Sequence, residues 1–130
     1  MDQYRRGDLV FDVVDAGPAG APVVILLHGF PQNSASWEQV IAQLTARGFR
    51  CLAPDQRGYS PGARPRGRWA YRILELVEDL RALVDASGAD KVHLVGHDWG
   101  AAVAWIFAQR YPRRLASLSA TSVPHPIALV

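Results

Sequence analysis

The segment KVHLVGHDWGAAVAWIFAQRY, residues 91–111, constrains the fold more than any other part of the chain. Its opening residues, KVHLVG, have the apolar, β-branched character of a strand. From Trp99 onward apolar residues fall on most faces of a helix, which Pro112 ends. The change from one pattern to the other takes place within Gly96-His97-Asp98-Trp99-Gly100. A strand that turns this tightly into an apolar helix predicts a helix packed deep against a sheet.

The remaining elements follow the same alternation. Residues 9–17 read as a strand ending in turn chemistry, and 22–29 as a continuous apolar strand buried on both faces. Residues 33–48 predict a helix, with Trp37, Val40, Ile41 and Leu44 on one stripe, Ser36 and Gln39 as a capping box and Gly48 just past its end. Residues 49–55 form the next strand, with Cys51 as a small core residue. Residues 56–68 are a loop, and 70–88 a helix with the stripe Ile73, Leu76, Val77, Leu80, Leu83 and Val84. Residues 115–123 are a last strand, and 124–130 a short stub. The predicted order, β-β-α-β-α-β-α-β, gives an α/β fold with a mostly parallel sheet and helices on both faces. In such sheets the chemistry lies beyond the carboxyl ends of the strands, where HGFP and GHDWG both fall.

Composition excludes several classes. With 49% hydrophobic and 20% charged residues, the 130-residue chain predicts one globular domain. The apolar runs VVILL and AAVAWIFA are far shorter than the roughly 20 residues that span a bilayer. The opening MDQYRRGDLVF has no apolar signal segment, and Cys51 has no second cysteine to pair with, so the expectation is a cytoplasmic chain without membrane contact. Net charge is +2, with thirteen Arg and one Lys. The Arg cluster at 56–68 reads as a solvated loop rather than a nucleic-acid patch, since no regular aromatic–basic interleaving suggests base stacking.

A Gly-x-nucleophile-x-Gly turn holds its central residue in a strained conformation at the head of a helix, and the glycines remove side chains that would clash across it. Here the central residue is Asp98, flanked by Gly96 and Gly100. The backbone N–H of Trp99, and that of Phe30 in HGFP, are candidate donors to an oxyanion hole. Alternative readings stand beside these. Asp98 can be a turn residue capping the helix, His28 and His97 structural histidines bonded to backbone, and Trp37 and Trp99 core aromatics.

HGFPQNSASW, APDQRGYSPGARP and LVGHDWGA occur in the order found in the α/β-hydrolase superfamily, and the chain resembles its epoxide hydrolase branch over residues 28–101. The resemblance implies that Asp98 is the nucleophile and that Phe30 and Trp99 supply the oxyanion-hole N–H groups. It implies that His28, Gly29 and Pro31 shape that loop, with Pro31 often cis. The implied reaction converts a small-molecule epoxide to a vicinal diol through a covalent ester, with no metal or organic cofactor. The family's base histidine, its orienting acid and the cap tyrosines that protonate the epoxide oxygen have no match. His28, His93, His97 and His125 do not occupy the base position, SATSVPHPIALV holds no Asp or Glu, and Tyr4, Tyr59, Tyr71 and Tyr111 do not lie in cap positions. The expectation is therefore the N-terminal part of such a domain over 1–130, without cap or C-terminal strands, the cap connection starting at about 124–130. It is expected to be inactive alone, and to need a C-terminal half or to self-associate through the open edge of its last strand. A haloalkane or haloacid dehalogenase is a second reading: Trp99 suits halide binding, whereas Phe30 and the lack of Arg after Asp98 argue against it. A non-catalytic remnant or interaction module is a third.

Overall fold

A computed structural model describes residues 1–123. The expected cap connection at 124–130, and His125 with it, lie outside the described residues. The described strands are β1 (Gln3–Arg6), β2 (Leu9–Ala16), β3 (Val23–Leu27), β4 (Arg50–Pro54), β5 (Val92–His97) and β6 (Leu115–Thr121). The helices are α1 (Glu38–Ala46), α2 (Ile73–Ser87) and α3 (Trp99–Arg110). The six strands form one sheet in the order β1-β2-β4-β3-β5-β6. β4, β3, β5 and β6 run parallel, whereas β2 is antiparallel to β4 and to β1.

β1 was not expected from sequence. QYRR lacks an alternating apolar pattern, yet the two-residue turn Gly7-Asp8, with Gly7 at φ +58°, folds it onto β2 as a hairpin. Tyr4 then stacks on Phe11 at 4.9 Å and is buried.

β3 and β4 are buried along their whole length: VVILL is apolar throughout, and in RCLAP the leading Arg50 is buried with its guanidinium bonded to Asp15. Val23, Ile25 and Leu27 face a core shared with α2 and α3, while Val24 and Leu26 face α1 with Cys51 and Ala53. α2 buries Leu76, Val77, Leu80, Leu83 and Val84, the expected stripe, and places Asp79 on the same buried face. Ile73 at its first turn is only partly buried.

The expectations for all three helices need correction. The segment from 33 opens as a 3-10 turn over Ser34–Trp37 before α1 begins. The Ser36–Gln39 capping box does not form: Asn33 accepts from the Ala35 N–H at 2.9 Å, and Ser36 Oγ donates back to the Asn33 carbonyl. Val40 lies exposed rather than on the buried stripe. α2 starts at Ile73, after a 3-10 turn over Arg68–Tyr71. α3 is buried along Gly100, Ala101, Val103, Ala104 and Phe107, but its other flank is half-exposed. The end of α1 is as expected. Gly48, at φ +90°, donates to the Thr45 carbonyl while Phe49 donates to Leu44, a Schellman closure.

Candidate functional site

β3 and β5 are hydrogen-bonded neighbours with Leu27 opposite Gly96, so the loops that leave them emerge side by side. Asp98 sits between β5 and α3 at φ +55°, ψ −120°, a conformation rare for any residue but glycine. The turn closes only because its flanks lack side chains. A Cβ on Gly96 would lie 2.5 Å from the Gly100 carbonyl oxygen, and one on Gly100 would collide with the Leu27 carbonyl. Gly29 permits the approach of the other loop, since a Cβ there would stand 2.7 Å from Asp98 Cβ. Phe30–Pro31 is a cis peptide bond.

The Asp98 carboxylate does not cap α3. Instead Oδ2 accepts the Phe30 N–H at 3.2 Å. The N–H groups of Trp99 and Phe30 hold the carboxyl below its ordinary range, so Asp98 is anionic at neutral pH. The Asp98 backbone N–H donates to the Thr121 carbonyl at 3.1 Å, tying the turn to β6.

The loop after β4 closes the site on its other side. Gln56 Nε2 donates to the His28 carbonyl at 2.7 Å, and the Gln56 N–H donates to His28 Nε2 at 3.1 Å. That leaves His28 Nδ1 to carry the proton and donate to the Gly29 carbonyl at 3.0 Å. His28 is fully buried, and burial pushes its pKa down, so it remains neutral and structural. Asp55 Oδ1 accepts from the Ser34 N–H at 2.8 Å, joining this loop to the start of the α1 segment.

Arg57 departs from expectation. It is not solvated: its Nε and Nη2 donate to Asp79 Oδ2 and Oδ1, both at 2.8 Å, and Nη1 donates to the Ala70 carbonyl. Arg6 adds a bond to Asp79 Oδ1 at 3.0 Å and to Glu75. Arg64, Arg66 and Arg68 in the same stretch are exposed, as expected.

Above Asp98 opens a cavity of about 580 Å³, lined by Phe30, Arg57, Gly58, Tyr59, Tyr71, Leu76, Asp98 and Trp99. Phe30 is 74% and Trp99 44% exposed, so Trp99 is a wall of this opening rather than a core aromatic. Tyr59 and Tyr71 were not expected here. The signal available was the position of QRGYSPG directly after a parallel strand.

No histidine lines this cavity among the described residues. His93 is within 2.7 Å of Ser117 Oγ, and His97 opens instead onto a second cavity with Gln32, Ser36, Trp37 and Thr121. No backbone bond of the kind expected for His97 is described. Trp37 packs against the α1-side core, its indole N–H without a partner among the described residues. Among the described residues no cluster of His, Cys, Asp and Glu is arranged to hold a metal ion, and no helix is long and apolar enough to cross a membrane.

A family model described as the alpha/beta hydrolase fold matches residues 22–129. Epoxide hydrolase B of Mycobacterium tuberculosis is 46% identical over 120 residues, covering 92% of this chain and 34% of that protein. Epoxide hydrolase A of the same organism is 49% identical over 112 residues, covering 86% of this chain and 35% of that protein. The crystal structure of epoxide hydrolase A from Mycobacterium thermoresistibile matches with a TM-score of 0.89 at 42% identity, over 94% of this chain and 38% of that one. The chain thus spans about a third of the length of these curated relatives.

Proposed function

The chain belongs to the α/β-hydrolase fold family, and on that premise we propose that it carries the nucleophilic half of an epoxide hydrolase site centred on Asp98. One observation carries the reading. The carboxylate of Asp98 stands on a positive-φ turn under an open cavity, with Oδ2 engaged by the Phe30 N–H. This divides the labour between its two oxygens. Oδ1 is the attacking atom, and Oδ2 becomes the carbonyl oxygen of the resulting ester. Attack of Oδ1 on a ring carbon breaks that carbon's bond to the ring oxygen, which keeps the electron pair and takes up a proton, giving a hydroxyalkyl ester. Water then adds to the ester carbonyl carbon, and the charge that develops on Oδ2 meets the N–H groups of Phe30 and Trp99. Gly96, Gly100, Gly29, His28 and Pro31 hold those donors in place.

The second step needs a base that activates water, and none of the described histidines reaches the cavity. The natural partner is therefore a C-terminal half bearing the base and its orienting acid, seated against β6. The chain by itself should stop at the ester. Incubation with styrene oxide, followed by peptide mapping, tests this. The expected result is one adduct on Asp98 that persists without diol release, absent in Asp98→Asn. No adduct under any condition favours a non-catalytic remnant. An adduct from a bromoalkane but not from styrene oxide favours dehalogenation, for which the Trp99 indole in the cavity wall is the supporting feature.

A further inference from the structure

The Gly29 carbonyl and the Phe30 N–H belong to one planar peptide unit and point in opposite directions, so whatever fixes the carbonyl also aims the N–H. The N–H end donates to Asp98 Oδ2 at 3.2 Å. The carbonyl end accepts twice, from the Gln32 N–H at 2.9 Å and from His28 Nδ1 at 3.0 Å. Two donors on a carbonyl polarise the amide and strengthen the N–H at its other end.

The bond from His28 exists in one tautomer only. Nδ1 carries the proton because the Gln56 N–H points at Nε2 from 3.1 Å and needs a lone pair there. Gln56 then grips His28 a second time, its side-chain amide donating to the His28 carbonyl at 2.7 Å. Only the NH2 end of that amide can face a carbonyl. Both residues are buried. Gln56 is itself fixed on every side: its carbonyl accepts the Tyr59 and Ser60 N–H groups, Asp55 before it accepts from Ser34, and Arg57 after it is paired with Asp79. It does not line the Asp98 cavity and lies outside both HGFP and GHDWG.

We propose that Gln56 is a positioning residue of the oxyanion hole: by fixing the ring tautomer and the carbonyl of His28, it aims the Phe30 N–H at Oδ2 of Asp98. The role in catalysis rests on Asp98 being the nucleophile. The Gln56 backbone selects the tautomer, and its side chain holds the end of β3 from which the oxyanion loop springs. Only the second contribution is removed by substitution, and Gln56→Met removes it while keeping an unbranched side chain of similar length.

Three measurements test this. In the unsubstituted chain, nitrogen-15 spectra of the imidazoles should show His28 with its proton on Nδ1. The Phe30 amide proton should follow the titration of Asp98, whose midpoint lies below the ordinary carboxyl range. In Gln56→Met that response should shrink and the Asp98 midpoint should rise. Ser60→Ala is the control for loosening the loop, since Ser60 Oγ bonds Asp55 and Asp12 and not His28; it should leave both unchanged. The third measurement uses the Asp98 ester formed from styrene oxide. Hydroxylamine attacks the ester carbonyl carbon, the diol leaves with Oδ1 and one proton, and Asp98 remains as a hydroxamate seen by mass spectrometry. This cleavage should slow by about 10-fold in Gln56→Met, part of the roughly 10²–10³-fold that outright loss of an oxyanion donor costs. A His28 proton on Nε2, a Phe30 response unaltered in Gln56→Met, or the same loss in Ser60→Ala overturns the proposal. If Gln56→Met does not fold, the tautomer and the Phe30 titration in the unsubstituted chain still decide it. No Asp98 ester in the unsubstituted chain overturns the nucleophile reading instead, while the two spectroscopic results judge the aim of the Phe30 N–H separately.

Discussion

At Asp98 the backbone and the chemistry pull in opposite directions. A non-glycine residue at φ +55°, ψ −120° is strained, and here the strain lifts a carboxylate off the helix end and into a cavity. Glycine relieves that strain without changing the turn. Asp98→Gly is therefore expected to raise the melting temperature by about 5 °C while abolishing alkylation. A melting temperature at or below that of the unsubstituted chain shows that the turn is not strained in solution. Asp15 offers a second test at this scale. Its hydrogen bond to Arg50, opposed by burial, lowers its carboxyl from 3.8 to about 2. A carboxyl with a lowered folded-state pKa contributes stability above its unfolded value and loses it as pH falls through the folded one. Denaturation midpoints should drop between pH 4 and about 2, and Asp15→Asn should flatten that drop. Equal pH profiles for the two chains would refute the assignment.

Among the elements, the helix α2 carries more than apolar cover. Asp79 lies on its buried face, where it holds Arg57 in a two-pronged pair with both side chains about 5–6% exposed. Arg57 in turn carries Gly58 and Tyr59 into the cavity and grips the Ala70 carbonyl next to Tyr71. Removing one partner leaves a buried charge unpaired. Asp79→Ala is expected to lower stability by about 3–5 kcal/mol, read from chemical denaturation, and to disorder the Tyr59 wall. A loss below about 1 kcal/mol would place Arg57 in solvent instead. The apolar stripe of α2 was legible from spacing alone, but Asp79 was not. A charged residue inside an amphipathic pattern is assigned to the wet face until its partner is known, and Arg57 is twenty-two positions away. β1 was hidden for a related reason: QYRR pairs with β2 through the Gly7-Asp8 turn, and its one buried side chain, Tyr4, finds its partner Phe11 on the neighbouring strand.

For the whole molecule, the open question of cover lies at β6. It closes one end of the sheet with no neighbouring strand on its outer side among the described residues, and its residues are half-buried or exposed throughout. An unprotected edge of seven residues invites another strand. The isolated chain is expected to self-associate in sedimentation measurements at micromolar concentration. A lysine at Ser119, exposed on that strand, should shift it toward monomer. A stable monomer without substitution would show that this edge is covered.

The alternation of strands and helices, the buried runs of β3 and β4, and the elbow at Gly96–Gly100 follow from local pattern, because period, turn chemistry and glycine spacing act between near neighbours in the chain. The same local logic pointed to Asp98, Phe30 and Trp99 together, since each lies within three residues of the end of a parallel strand. What required the folded chain was every relation between distant charges and rings. His28 became a strut through Gln56, Arg57 a buried ion through Asp79, and Tyr59 a wall of the Asp98 cavity. Hydrogen bonds and ion pairs act over a few ångströms of space, and separation along the chain says nothing of that distance until the sheet has brought its strand ends into line.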